Sequence, residues 1–363
     1  MAEDSSKETP SGPDDPQAPV EVVDWNPKWV EQYESARDAI YEVLGERIES
    51  IEHIGSTAIK DLAAKPTIDM MVGQPKLRVD DGVISAMQSL GYRYLGEYGI
   101  PDRHFFRKGS PPTHHLHWVE IDSHFWEVQV LFRDYMRDHP EEAQRYETMK
   151  VKLAERFHDD RPKYTLSKTG YVKGVLERAK LWRFPPAGSD YLIIDLEATC
   201  WETGTRTDRM EIIEIGAVRL NSKTKEIIDD FSIFVRPKEE PTLTEFCKNL
   251  TTITQADVDN SLPFPEAFQK FLEWVGDGPH RFCSWGAYDL KQFNVDCERH
   301  DVPLPSWLEP HVNLRRMFSV EKNVPPCAMT QALEILNIPL DGKHHRGIDD
   351  ARNIAKIAKL ILP

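Results

Sequence analysis

The sequence predicts a two-domain protein of mixed class, in which an α+β domain precedes an α/β domain with a mixed sheet flanked by helices. Three observations support this prediction. The chain has 363 residues, which is too long for one compact core of ordinary size. The first half ends in a long helical stretch, whereas the second half begins with three consecutive strands. Between them, residues 183–190 concentrate proline, glycine and serine, as domain linkers do.

The first domain, residues 20–182, is predicted to begin with a helix and strands and to end in helices. Apolar residues recur at helical spacing over 27–44. Short apolar or alternating segments between turn residues then predict strands, and helical periodicity returns after Ser123. The predicted strands span 50–54, 67–72, 92–95, 104–107 and 115–121, and the predicted helices after them span 125–137, 140–157 and 166–182.

The second domain, residues 191–363, is predicted to alternate helices and strands after its first three strands, which indicates a mixed sheet covered by helices. The predicted strands span 191–196, 211–220, 227–235 and 281–285, and the predicted helices span 265–275, 290–300, 329–336 and 349–362.

Composition and charge limit the classes of protein that the chain can represent. Its net charge of −15 argues against a protein that coats nucleic acid with a basic surface, but not against an enzyme whose bound divalent ions meet phosphates. No apolar stretch is long enough for a membrane helix, and residues 1–19 are expected to be a disordered acidic tail. We expect a cytoplasmic or nuclear protein that is not secreted and binds no membrane. The five cysteines, which form no CxxC pair, are interpreted as reduced core thiols.

Two carboxylates interrupt the apolar strand YLIIDLEAT. Asp195 and Glu197 are two residues apart, so the period of a strand sends both to the same face. Like charges on a buried face repel each other unless a cation or a proton lies between them. The pattern therefore predicts a divalent-metal site, although DxE alone is also compatible with a solvent-facing strand edge.

Further candidate ligands follow later in the chain. Asp289 comes just after the predicted strand 281–285, where it could be either a metal ligand or the N-cap of the next helix. In KHHRGIDDARNIAKIA, His345 and Asp350 are five residues apart. A loop histidine and a carboxylate in the first turn of a helix can converge on one point at this spacing. His344 is the competing histidine, and its partner at the same spacing would be Asp349.

Together these residues resemble the DEDDh branch of the proofreading-type 3′-to-5′ exonucleases, whose fold is ribonuclease H-like. The segments DLEATCW, EIIEIGAV, SWGAYDLKQF, VNLRRMF and HHRGIDDARNIAKIA resemble the family of histone-mRNA 3′ exonucleases and RNA-interference-suppressing exonucleases over 191–363. The resemblance implies a hydrolase that removes nucleoside 5′-monophosphates from RNA 3′ ends, and possible substrates include single-stranded DNA. The implied catalytic residues are Asp195, Glu197, Asp289, His345 and Asp350.

The resemblance also implies how these residues share the chemistry. Two Mg²⁺ ions, or Mn²⁺ in their place, are held by Asp195, Glu197, Asp289 and Asp350. His345 is then the general base, because its usual pKa suits proton abstraction from water and because Gly347 matches the small residue that the family carries two positions after the base.

Residues 243–254 are implied to form the pocket for the terminal nucleotide. Thr252 stands where these enzymes often carry glycine. The implied substrate-binding residues are Leu250, Thr251, Ile253, Lys291 and Arg346.

The first domain carries a turn and a carboxylate strand in IEHIGSTAIKDLAAKPTIDMMV. This segment, with THHLHWVE and FWEVQVLFRDYM, resembles the GrpB family, whose fold is that of nucleotidyltransferases. In that fold the turn holds phosphates and paired acids bind Mg²⁺. Here Met71 occupies the position of the second acid, which favours binding of a nucleotide or phosphate without transfer. A zinc site at His114, His115 and His117 lacks a fourth ligand. The candidate ligand-binding residues are Gly55, Ser56, Lys65, Asp69, His115 and His117.

Three hypotheses therefore remain open. The chain is an exoribonuclease with a ligand-binding first domain, a module that binds RNA 3′ ends without cutting them, or a bifunctional nucleotidyltransferase and exonuclease.

Overall fold

The computed structural model describes residues 19–183, 190–202, 209–278 and 280–363. Most of the predicted tail and linker, residues 1–18 and 184–189, lies outside the described residues. The chain divides between Val172 and Lys173 into two compact units. In the part of the chain that the structure describes, no helix is long and apolar enough to cross a lipid bilayer. All five cysteines are free thiols.

The first unit is built on a five-stranded sheet in the order β1-β2-β5-β4-β3, in which β2 and β5 are parallel and the other neighbours are antiparallel. The strands are β1 (Ser50–Ile54), β2 (Ile68–Gln74), β3 (Tyr92–Tyr94), β4 (His104–Lys108) and β5 (His114–Glu120), and the helices are α1 (Lys28–Leu44), α2 (Asp81–Ser89), α3 (His124–Asp138) and α4 (Pro140–Arg156). Helix α5 (Arg161–Arg183) begins in the first unit and contains the boundary between the two units.

The two faces of this sheet differ in polarity because the strand period is two. Met70 on β2 and Leu116 on β5 point into an apolar core that includes residues of α1 and α2. The opposite face carries Asp69 beside His115 on the neighbouring strand. The candidate ligand-binding residues of β2 and β5 therefore share the polar face.

The second unit contains a six-stranded mixed sheet in the order β11-β10-β6-β7-β8-β9. Its strands are β6 (Tyr191–Ala198), β7 (Ile212–Leu220), β8 (Ile227–Arg236), β9 (Leu262–Pro263), β10 (Arg281–Ser284) and β11 (Val312–Asn313), and its helices are α6 (Glu245–Thr251), α7 (Gln255–Asp259), α8 (Phe264–Val275), α9 (Tyr288–Arg299), α10 (Leu314–Glu321), α11 (Met329–Ile335) and α12 (Gly347–Ile361).

Strand β6 is buried on both faces. Ile194 packs into a core with Phe268 of α8, whereas Ile193 packs into a core with Ile354 of α12. Asp195 and Glu197 are two and four residues after Ile193, so they lie on the same face of β6 as Ile193. This is the face that α12 covers. This arrangement brings the predicted DxE strand and the predicted H-x4-D helix together.

The sequence analysis did not predict four of the observed helices, α2, α6, α7 and α10. Each is short, from five to nine residues, so its apolar periodicity is weak. Each begins instead at a side-chain cap, such as Asp80 before α2 or Thr254 and Asp257 in the capping box of α7.

Candidate active site

Three carboxylates converge between β6 and α12. Asp195 and Glu197 project from β6, and Asp350 lies in the first turn of α12. One carboxylate oxygen from each residue can be chosen so that all three lie within 4.8 Å of one another. Oxygen ligands at this spacing suit a hard divalent cation such as Mg²⁺. The donors therefore fit the metal that the sequence predicts.

Asp289 approaches the same strand from α9. Its carboxylate accepts a hydrogen bond from the backbone N–H of Leu196 at 3.1 Å, and the nearby Ser284 hydroxyl acts to lower its pKa. That hydroxyl also lies 2.9 Å from Nε2 of His311. The N-cap residue of α9 is Ala287, so Asp289 does not act as the helix cap that the sequence left as an alternative.

Burial raises the pKa values of the four carboxylates of the site, and repulsion between carboxylates adds to the shift at Asp195 and Glu197. Burial, followed by Asp289, Glu197 and Asp350, raises the pKa of Asp195 well above its usual value. Burial and Asp350 likewise raise the pKa of Glu197, and burial raises the pKa of Asp289 to about 6. Burial also raises the pKa of Asp350. A bound cation offsets this repulsion, because it favours the ionised form of each carboxylate.

Both adjacent histidines contact Asp350, but through different atoms. The backbone N–H of His345 donates to Oδ2 of Asp350 at 3.0 Å, whereas Nδ1 of the His344 ring lies 2.9 Å from the same oxygen. The two rings stack with their centroids 3.9 Å apart. Burial lowers the pKa of His345. Its half-buried imidazole therefore favours the neutral form, which can accept a proton.

Glu214 on β7 is a buried acid that the sequence analysis did not select. Its side chain is fully buried and accepts hydrogen bonds from the Gly347 backbone N–H at 3.0 Å and from Nε of Arg346 at 3.0 Å. Glu214 is the register partner of Glu197 and contributes to that residue's raised pKa. It fixes the segment between His345 and α12. The sequence signal that could have identified Glu214 is its carboxylate within the otherwise apolar strand EIIEIGAV.

The start of α12 reaches β7 because two glycines face each other. A Cβ atom on Gly216 would lie 2.1 Å from the carbonyl carbon of Gly347. A Cβ atom on Gly347 would lie 3.0 Å from the carbonyl oxygen of Asp195. These contacts leave no room for a side chain on Gly216, and they hold the start of α12, which carries Asp350 in its first turn, close to β6 and β7.

The five expected substrate-binding residues differ in how far their side chains are exposed. Thr251 and Ile253 are 1% and 0% exposed, whereas Leu250 is half-buried and Lys291 is exposed. Arg346 is held by Glu214. Thr251 and Ile253 therefore present almost no side-chain surface to a ligand, whereas Leu250 and Arg346 are partly exposed and Lys291 is exposed.

Thr252 follows α6 in the left-handed conformation, with φ 61° and ψ 9°. A β-branched residue rarely adopts this conformation, whereas glycine adopts it without steric cost. A glycine at this position would adopt the same backbone conformation without that cost.

In the first unit, the structure brings Asp69 and His115 together on the polar face. Oδ1 of Asp69 lies 3.1 Å from Nδ1 of His115. His117 lies on the same face of β5, where burial lowers its pKa to about 3 and a guanidinium nitrogen of Arg103 lies 3.2 Å from its Nδ1. His117 is thus neutral at pH 7.

Gly55 lies directly against Asp69. A Cβ atom on Gly55, whose φ is +69°, would lie 2.6 Å from Oδ2 of Asp69. Ser56 hydrogen bonds the Tyr146 hydroxyl, and Lys65 is close enough to Asp69 to lower its pKa. The groups of three potential metal ligands found among the described residues all belong to the second unit, so the first unit offers no support for a zinc site.

Comparisons with known proteins match the two halves of the chain to different families. A family model described as GrpB protein matches residues 19–178, and one described as Exonuclease matches residues 192–358. The UPF0157 protein YqkA of Bacillus subtilis is 37% identical over 46% of this chain and 49% of its own length. The 3′-5′ exoribonuclease 1 of Rattus norvegicus is 37% identical over 48% of this chain and 53% of its own length. The chain thus spans about half the length of these curated relatives.

One solved structure similar to the second unit is the nuclease domain of 3′hExo, a DEDDh family member, bound to rAMP. It is 34% identical, with a TM-score of 0.46, over 48% of this chain and 92% of that domain.

Proposed function

Since the chain belongs to the GrpB family over residues 19–178 and to the exonuclease family over residues 192–358, we propose that its second unit is a metal-dependent 3′-to-5′ exoribonuclease. The observation that carries this proposal is the convergence of Asp195, Glu197 and Asp350, with Asp289 held against the same strand. RNA is the proposed substrate because the similar curated proteins are named exoribonucleases. Single-stranded DNA is a second candidate substrate.

The donor set supports two Mg²⁺ ions, with Mn²⁺ as a replacement. Asp195, Glu197 and Asp350 would hold one ion, and Asp195 with Asp289 would anchor the other. When bound, such ions make water nucleophilic near neutral pH and offset charge on the phosphorus and on the leaving oxygen. The raised pKa values of these carboxylates in the metal-free protein support this assignment.

His345 is the proposed general base that removes a proton from the attacking water. Nδ1 of His344 is already engaged by Asp350, whereas the His345 ring forms no hydrogen bond with any described residue. Its lowered pKa keeps the imidazole neutral and able to accept a proton at pH 7. Hydrolysis at the terminal phosphodiester then releases nucleoside 5′-monophosphates.

For the first unit we propose binding of a nucleotide or phosphate without nucleotidyl transfer. Met71 is fully buried in an apolar cluster with Trp126, so the position of a second metal-binding acid is part of the core. Asp69 alone can hardly hold a pair of metal ions. The proposed ligand-binding set remains Gly55, Ser56, Lys65, Asp69, His115 and His117.

One experiment separates the three functional hypotheses. Purified full-length protein is incubated with 5′-labelled RNA or DNA in Mg²⁺, with and without nucleoside triphosphates, beside the Asp195→Ala variant. We expect the wild-type protein to shorten RNA progressively and the variant to be inactive. Binding without shortening would support the 3′-end-binding module, and triphosphate-dependent extension would support the bifunctional enzyme.

A further inference from the structure

An aromatic side chain of the first unit is held at the surface between β3 and β4. Tyr98 is 58% exposed, and its φ of 46° is uncommon for a bulky residue. The guanidinium Nη2 of Arg103 donates to the carbonyl oxygen of Tyr98 at 3.0 Å and to that of Glu97 at 2.9 Å. These bonds fix the segment in a conformation that presents a large ring to solvent.

The Tyr98 ring is supported on one face only. It stacks on Phe105 of β4, with the ring centroids 5.4 Å apart and the planes 23° apart. The guanidinium carbon of Arg107 lies 5.4 Å from the centroid of Tyr98 and 5.6 Å from that of Phe105. Groups on opposite faces of Tyr98 would lie much farther from each other than these three rings and charges do. Arg107 therefore leaves the outer face of the Tyr98 ring uncovered, in keeping with the large exposed fraction of this side chain.

Two arginines lie opposite each other on the strands that flank this segment. Arg93 of β3 and Arg107 of β4 are register partners in an antiparallel pair, so both side chains lie on the same face of the sheet. Like charges directly opposite each other destabilise a strand pair. Arg93 is exposed on the outermost strand of the sheet. A phosphate that meets both guanidinium groups would offset their repulsion.

The acids near this pair do not occupy its outer side. Arg107 is the register partner of His115, which is in turn the partner of Asp69. Asp69 thus lies two strands from Arg107, or about 10 Å at the usual strand spacing. Glu97 of the segment before β4 accepts a hydrogen bond from the backbone N–H of Asp102 at 3.0 Å. The outer edge of the sheet therefore offers the two arginines to an anion.

We propose that Tyr98, Arg93 and Arg107 bind single-stranded RNA, with one base stacked on the outer face of Tyr98 and an adjoining phosphate on the two arginines. Aromatic rings beside cationic side chains bind single strands without strict dependence on sequence. An open surface suits a strand better than a free mononucleotide, which binding sites usually enclose. This site is separate from the residues proposed above for a small ligand. The choice of RNA over DNA rests on the exoribonuclease activity proposed for the second unit.

The test uses a circular single-stranded RNA, because a circle offers no 3′ end to the second unit. Fluorescence anisotropy measures binding of the labelled circle to the full-length protein in EDTA. Tyr98→Ala should raise Kd about 5- to 100-fold, because it removes the stacked base, whereas Tyr98→Phe keeps the ring and should bind like the wild type. Tyr41→Ala is the matched control, since Tyr41 is an exposed tyrosine of α1, and its Kd should be unchanged.

Arg93→Gln tests the phosphate contact independently of the ring, and it decides the question should Tyr98→Ala fail to fold. The slope of log Kd against log salt concentration should become smaller by about 0.7, because one fewer phosphate of a single strand is neutralised. Lys163→Gln is the control for the loss of a positive charge, since the Lys163 side chain is 68% exposed in the first unit. Its slope should match that of the wild type.

Three results would overturn the inference. The first is absence of binding to the circle at protein concentrations up to about 100 μM, the weak end of non-specific affinities. The second is a Kd for Tyr98→Ala, or a salt slope for Arg93→Gln, equal to that of the wild type. The third is displacement of the circle by AMP at the same concentration as by unlabelled circle, which would assign the site to a mononucleotide.

Two further measurements separate this site from the proposed activity. Duplex RNA should bind at least about tenfold more weakly than the circle, because its bases are not free to stack, and equal binding would contradict the stacking. Shortening of linear RNA in Mg²⁺ is measured on the same preparations. A wild-type protein that binds the circle but shortens no RNA would leave this site standing while the exoribonuclease proposal fails.

Discussion

Replacing Asp289 with asparagine should stabilise the metal-free protein while destroying its activity. The Asp289 side chain is buried, with the residue 5% exposed, and its pKa is about 6 because burial penalises the anion. In the unfolded chain an aspartate titrates near pH 3.9. Asparagine retains an acceptor oxygen for the Leu196 N–H but carries no charge to bury.

The magnitude follows from the shift in pKa. A carboxyl whose folded-state pKa is raised keeps its proton to a higher pH than in the unfolded chain, so stability is lost between about pH 4 and pH 6 and stays lost above. A shift of about two units corresponds to about 3 kcal/mol. Asp289→Asn should recover this amount at pH 8, which is a rise of roughly 6–12 °C in Tm for a unit of this size. At pH 5 the gain should be smaller.

The assay is thermal unfolding of the full-length protein in EDTA at pH 5 and pH 8, following the transition that Mg²⁺ shifts. Asp301→Asn is the matched control, because Asp301 is exposed just after α9. Mg²⁺ should reduce the difference in Tm between Asp289→Asn and the wild type, because the ion stabilises the wild type by binding to it. An unchanged or lower Tm for Asp289→Asn at pH 8 would refute the argument, as would a gain equally large at pH 5.

Three further substitutions test the site and its supports. His345→Ala should lower kcat for RNA shortening by about 10²- to 10⁴-fold, and His344→Ala should lower it less; the reverse order would assign the base to His344. Thr252 is exposed and has a left-handed backbone conformation, so Thr252→Gly should remove the strain of that conformation and raise the free energy of unfolding by about 1 kcal/mol. A lower Tm for this variant would show that the conformation is not strained. Gly216→Ala should lower the free energy of unfolding by about 3 kcal/mol and remove most of the activity, because the added Cβ overlaps the backbone of Gly347. A variant with the Tm and the rate of the wild type would show that the close contact is dispensable.

The part of the site that could be predicted from sequence rests on simple spacing. Period two placed Asp195 and Glu197 on one face of a strand, and their oxygens do come together with one of Asp350. The five-residue spacing placed His345 in a loop and Asp350 in the first turn of α12. The two-domain architecture was likewise predictable, because each half carries its own pattern of strands and helices.

The remainder depended on contacts between distant parts of the chain. Glu214 looked like one polar residue in a strand, and its role became apparent only when Arg346 and Gly347 were seen to bind it across 132 and 133 positions. The contact between Ser284 and Asp289 also needs the fold, because a hydroxyl after a strand has many possible partners. The missed short helices begin at capping residues, a weaker signal than apolar periodicity.

The central claim is that the carboxylate cluster removes nucleotides from RNA 3′ ends with divalent ions, and one measurement tests it most directly. An RNA labelled in its 3′-terminal nucleotide is incubated with full-length protein in Mg²⁺ or EDTA, and the first product is identified. We expect labelled nucleoside 5′-monophosphate to appear first in Mg²⁺, none in EDTA, and none with Asp195→Ala. Release of a labelled oligonucleotide, or equal release by the variant, would contradict the account.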